Sequence, residues 1–233
     1  MQQTSKRIVD IIYGLFSVRN FLWLAVASVL TYLLVFTGFD AQYFDYLQNT
    51  VVYRFFSLAG LVGFVGPVAI FAALWISGKI KNNKRMLVSS VLFFQASFLG
   101  WLASSMLKFF TGRIPPPYGG DLSQFTLSNI TELSYGFRFG FGQGGIFWGW
   151  PSSHTTVAFA GAVALAVYYR EKSWVRYVLL SYASYIAIGA STSFHWLSDV
   201  VAGVIVGSII GVAVANSFIK PVTSGRNIDA KRI

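Results

Sequence analysis

The sequence contains no cysteine. That excludes a disulfide framework and any thiolate metal site. Charge is scarce as well. Only 11% of the 233 residues are Asp, Glu, Lys or Arg, against about 25% in soluble domains. Histidine occurs twice, at His154 and His195. What fills the chain instead is apolar: 55% of it is hydrophobic and 18% aromatic. A soluble domain of this length could not bury so much apolar surface behind so few surface charges. The chain reads as an integral membrane protein, and the lipid bilayer is its first expected partner. The net charge of +10 would suit nucleic acid. Here, however, the basic residues sit in short segments between apolar runs, which is the positive-inside pattern, so no nucleic-acid partner is expected.

About 20 apolar residues cross a bilayer as a helix. Six stretches qualify as candidates, at roughly 20–38, 56–77, 86–110, 152–170, 174–194 and 198–218. The expected fold class is all-α, a polytopic membrane protein with six transmembrane helices. The fourth and sixth stretches are rich in Ala, Gly and Val, so they are expected inside the bundle. The last two leave room only for a tight hairpin with His195 at its tip. Residues 1–19 are too polar to span, and Ile8, Ile11, Ile12, Leu15 and Phe16 recur at helical spacing. They read as an N-terminal amphipathic helix in the membrane interface, and no signal-peptide cleavage site is evident.

Orientation follows from the loops. Lys79, Lys81, Lys84 and Arg85 mark one inner loop, and Arg170, Lys172 and Arg176 mark another. The tail carries Lys220, Arg226, Lys231 and Arg232. The 39–55 loop, with Asp40, Asp45 and a single Arg54, falls on the opposite side. Residues 111–151 form a long outer loop, and their aromatic residues (Tyr118 and Trp148 among them) suit the headgroup region. The acids of this loop are Asp121 and Glu132. Asn129-Ile130-Thr131 is a glycosylation sequon, meaningful only in a eukaryotic secretory pathway. No repeat or second domain is visible. The chain is read as one membrane-embedded domain over 1–233, with an interfacial helix at 1–19 and a cytoplasmic tail at 219–233. Both termini are expected in the cytoplasm of a bacterium, with the protein in the inner membrane.

This topology puts the polar residues at one depth. Lys108 lies at the outer end of the third span. Ser152, Ser153 and His154 lie at the outer start of the fourth, and His195 and Asp199 at the outer hairpin. Asp199 is four residues from His195, close enough to accept one imidazole N–H and leave the other nitrogen free as a nucleophile. Ser152 is a natural N-cap, and exposed N–H groups at such a helix start attract anions. His154 there can protonate a leaving group. Each residue also has a plainer reading: a hairpin-capping hydrogen bond, an interfacial histidine, a lysine that snorkels to the headgroups. Arg113 and Arg138 are the other cations of the outer loop. Together the residues form a phosphoryl-transfer set. No metal or cofactor is expected, since two His and one Asp make at most a weak metal site. A serine hydrolase is disfavoured because neither serine has a G-x-S-x-G setting.

These residues resemble the type-2 phosphatidic acid phosphatase, or lipid phosphate phosphatase, superfamily. Its motifs are Lys, six residues, Arg-Pro; then Pro-Ser-Gly-His; then Ser-Arg, five residues, His, three residues, Asp. The resemblance covers about residues 50–215 and implies six helices and no metal. By it, His195 is the nucleophile that forms a phosphohistidine and Asp199 orients it. His154 protonates the leaving group and then activates water. Lys108 binds the phosphoryl oxygens, and Ser152 with the backbone at Ser153 adds hydrogen bonds. Three places depart from the pattern: Pro115 stands for the first arginine, Ser153 for glycine, and Ile188-Gly189 for Ser-Arg. Arg113 and Arg138 are the candidates to bind phosphate in their stead. The expected activity is hydrolysis of a lipid phosphate or pyrophosphate ester at the outer face. The alternatives are a phosphotransferase acting on a lipid or sugar acceptor, and a non-catalytic relative that binds or transports lipid phosphates.

Overall fold

A computed structural model describes residues 2–48, 50–117, 124–143 and 145–219, with side chains from Arg7 onward. The basic residues expected in the tail (Lys220, Arg226, Lys231 and Arg232) lie outside the described residues. So do Tyr118 and Asp121 of the expected outer loop.

All regular structure among the described residues is helical, in ten helices. In chain order they are α1 (Gln2–Leu15), α2 (Val18–Phe36), α3 (Phe39–Gln48), α4 (Val51–Phe56), α5 (Ala59–Ile80), α6 (Lys84–Thr111), α7 (Leu127–Ser134), α8 (Ser153–Tyr168), α9 (Ser173–Ser193) and α10 (Leu197–Ile219). Local chemistry sets several boundaries. Ser17 accepts the Asn20 N–H at the start of α2, and the Asn20 amide turns back to the Gly14 carbonyl at the end of α1. Asn83 accepts the Met86 N–H at the start of α6. That helix stops at Gly112, whose φ of +41° favours glycine.

Four helical stretches are long and apolar enough to cross a membrane: Val18–Phe36, Val51–Ile80, Lys84–Thr111 and Leu197–Ile219. The fourth and fifth expected spans exist as helices but do not meet the same measure. α8 has 16 residues. α9 has 21 but carries Arg176 and several Ser and Tyr residues. α8 is apolar but falls short in length, and it is mostly buried in protein. The expected loop at 39–55 is also different, since it folds as the short helices α3 and α4.

The core is built from α6, α8 and α10. Leu92 and Phe93 of α6 pack with Ala160, Ala164 and Leu165 of α8 and with Val206, Ile210 and Val214 of α10. In lipid there is no hydrophobic drive between helices, so close backbone approach must supply the contact energy. Three glycines on one face of α10 provide it. A Cβ at Gly203 would lie 2.9 Å from the Ser152 carbonyl oxygen, at Gly207 2.5 Å from that of Thr156, and at Gly211 2.7 Å from that of Ala160. α1 lies against this core through Ile11, and Arg7 sits over the Phe218 ring.

The two ends of the bundle differ in character. At one, Arg85 bonds Glu171 and lies over the rings of Tyr168 and Tyr169. This brings the two basic loops at 78–85 and 170–176 together. At the other end lie the ends of α6 and α9 and the starts of α8 and α10.

Substituting leucine for Gly207 forces α8 and α10 apart. The thermal unfolding midpoint in detergent is expected to fall, by the equivalent of about 1–3 kcal/mol for overpacking, and a melting curve of purified protein checks it.

Candidate active site

Each element of the site arrives at this end for a local reason. α9 ends at the Phe194 and His195 N–H groups, both of which bond the Ala190 carbonyl. The hairpin tip is then pinned by Trp196. Its indole N–H donates to the Ile114 carbonyl at 2.7 Å, and its ring meets Phe44 of α3 edge-on. Asp199, in the first turn of α10, accepts the Trp196 N–H and faces His195 Nδ1 at 3.4 Å. That leaves Nε2 of His195 as the nitrogen that can act outward.

Opposite, Ser152 caps α8. Its hydroxyl oxygen accepts from the Thr155 N–H and hydroxyl, and its own N–H donates to the Asp199 carbonyl at 3.0 Å. The start of α8 is thereby bonded directly to α10. Ser153 accepts a hydrogen bond from Ser104 of α6. The Phe194 ring lies against both imidazoles, with ring centres 5.0 Å from His154 and 5.4 Å from His195. Lys108 is 2% exposed, and its ammonium donates to the Phe147 carbonyl at 2.8 Å. An ammonium has three donors, so this bond leaves capacity for an anion.

Several of these side chains line one cavity of about 1270 Å³. Lys108, Ser153, His154 and His195 line its polar part. Its remainder runs between α5 and α6 along apolar residues that include Phe64, Val68, Phe94, Phe98 and Trp101. All five are exposed on the outside of the bundle.

Not every expected phosphate ligand faces the cavity. Ser152 is fully buried beneath its wall as a cap. The Arg138 side chain is exposed on the segment between α7 and α8 and does not line the cavity. Arg113 is 1% exposed and turned the other way. It bonds Asp199, the Ser198 hydroxyl, Asp40 at 2.8 Å, and the Ser134 carbonyl from two nitrogens. A guanidinium has five N–H donors, and those five bonds use them all. Arg113 is therefore not placed to replace a missing phosphate-binding arginine.

The geometry also explains one departure from the motif. A Cβ at Gly189 would collide with Ala59 and come within 2.9 Å of the Phe56 carbonyl oxygen. α9 closes on the α4–α5 corner here, and no side chain fits. Among the described residues, Lys108 is the cation lining the cavity. Asp40 is the residue that sequence reasoning passed over. It was read as a loop acid, and only its isolation in an apolar chain could have drawn attention to it. Among the described residues, no group of three or more His, Asp or Glu side chains is placed to hold a metal ion.

Burial, reinforced by the Lys108 ammonium, pushes His195 below the usual histidine range, against the pull of Asp199. The imidazole is neutral at pH 7 and its outward nitrogen carries a lone pair. The unfolded chain protonates first, near 6.5, while the folded protein refuses the proton. Stability is therefore lost as pH falls below about 6.5. Melting curves taken across pH 5–7 are expected to show this loss, and His195→Gln is expected to weaken it. Restoring the motif arginine as Gly189→Arg is expected to lower the melting midpoint and bring no gain in phosphate binding, measured by phosphate protection against thermal unfolding.

No curated protein and no solved structure gives a significant match to the chain. Residues 87–221, from α6 through α10, match the PAP2 superfamily. That superfamily carries phosphatase-type phosphoryl-transfer chemistry, and the matched stretch contains Lys108, His154, His195 and Asp199. With more than half of its length in the match, the chain belongs to the PAP2 superfamily, the type-2 phosphatidic acid phosphatases.

Proposed function

We propose that the protein hydrolyses a phosphate or pyrophosphate ester of a membrane lipid, through a phosphohistidine on His195. The observation that carries this reading is the shared cavity. Both histidines and Lys108 line one end of it, and the other end is an apolar groove between α5 and α6. A polar phosphate and an apolar chain would each find a matching surface there.

The steps follow from the positions. Lys108 binds the phosphoryl oxygens, helped by the Ser153 hydroxyl. Nε2 of His195 attacks phosphorus while the bond to the leaving oxygen breaks. His154 gives that oxygen a proton. The phosphorylated imidazole is cationic, and Asp199 at Nδ1 balances it. Water then attacks the phosphohistidine, with His154 taking its proton, and inorganic phosphate leaves. The apolar rim of Phe147 and Trp148 limits bulk water at the site.

In this reading α8 and α9 also cross the bilayer, making six spans in all. The basic loops at 78–85 and 170–176 then face the cytoplasm with both termini. The cavity opens at the outer, periplasmic face of a bacterial inner membrane. α1 lies along the inner surface, consistent with its alternation of apolar and basic residues.

The test is phosphate release from phosphatidic acid and prenyl pyrophosphates in detergent micelles. His195→Ala is expected to abolish turnover, and Lys108→Ala to reduce it by roughly 100-fold or more, as for other transition-state contacts. Unchanged release by His195→Ala overturns the mechanism. A phosphoryl group recovered on an added alcohol instead of in water makes the protein a transferase.

A further inference from the structure

The cluster behind the nucleophile has a member that the chemistry above does not use. Asp40, on α3, lies outside the matched residues 87–221 and is fully buried. Its carboxylate accepts from Arg113 at 2.8 Å, from the Ser198 N–H at 2.9 Å and from the Ser198 hydroxyl. Arg113 in turn bonds Asp199, and Asp199 faces His195. A chain of contacts thus runs from α3 to the imidazole.

The charges decide what this chain does. Arg113 with Asp199 alone would be a neutral pair. The guanidinium would then offset the charge that Asp199 presents to His195. With Asp40 present, the three buried groups sum to −1. That is the charge needed opposite an imidazole that becomes cationic when protonated or phosphorylated. Isolated buried charges are costly, so a buried second carboxylate beside this pair calls for a role. The other ionisable groups around His195 do not supply the negative charge. Lys108 of α6 is cationic, and His154 of α8 is neutral or cationic. The other acid of α3, Asp45, is exposed.

We propose that Asp40 is a positioning residue for this site: its charge makes the buried Arg113 cluster net anionic, so that Asp199 both holds His195 and balances the positive charge that appears on it. This rests on His195 being the nucleophile, but its electrostatic part is measurable without turnover. The chain has two histidines, so labelling with ¹⁵N-histidine gives two ring signals, and His154→Ala assigns them.

In Asp40→Asn, the titration of His195 is expected to move to lower pH, because the imidazolium loses its counter-charge. With phosphatidic acid as substrate, kcat is expected to fall by about 10- to 100-fold, as for loss of one charge-assisted contact, with KM little changed. Arg113→Gln is expected to move the titration the other way. The Asp40→Asn/Arg113→Gln double variant restores the sum of −1 and is expected to return it toward the parent. If Asp40→Asn does not fold, the comparison of Arg113→Gln with the double variant carries the same test. A folded Asp40→Asn protein with unmoved titration and unmoved kcat overturns the inference and leaves the phosphatase reading intact. A parent protein without turnover but with the expected titration shifts does the reverse.

Discussion

The guanidinium of Arg113 is the point on which the cavity end of the molecule depends. It is buried, and its five donors tie together α3, the segment after α6, the end of α7 and the start of α10. Phe137 and Trp196 cover its faces. Buried ion pairs are weak evidence for stability as such, because desolvation offsets much of the attraction. Their geometry is nevertheless demanding, since leaving one partner unpaired costs roughly 3–5 kcal/mol. The cluster therefore has few alternative arrangements, and the first turn of α10 is fixed with Asp199 on it. The His195 imidazole is positioned at second hand, through an aspartate that is itself held.

The departures from the family motifs have physical readings once this cluster is seen. The arginine expected before the hairpin has no room, because α9 packs at Gly189 against the Phe56 carbonyl and Ala59. The arginine expected at position 115 is a proline. The nearby Arg113 supports the site from behind and does not bind from within. Among the described residues, one cation, Lys108, lines the cavity beside two imidazoles and the Ser153 hydroxyl. The cavity lining is thus smaller in charge than the motif pattern implies, while a second carboxylate, Asp40, lies behind Arg113 and Asp199.

Much of the fold was legible because bilayer chemistry is coarse. Long apolar runs, basic loops between them and glycine-rich stretches led to the helices 84–111, 153–168, 173–193 and 197–219 within a residue or two of where they lie. The residues 39–55 were misread as loop, because two acids and several polar residues conceal short helices that are held by tertiary contacts. α8 is apolar but has only 16 residues, and its small residues are mostly buried in protein.

By itself the sequence determined the membrane class, the helix order and the grouping of Lys108, His154, His195 and Asp199. Spacing along a helix and apolar length are local properties, and they suffice for that. Only the tertiary structure decided which cations face the cavity and which are consumed. Arg113, Arg138 and Lys108 are alike as residues in a loop or a span end. Their roles differ because burial and hydrogen-bond partners come from elements far apart in the chain: Asp40 lies 73 residues from Arg113 and 158 from Ser198.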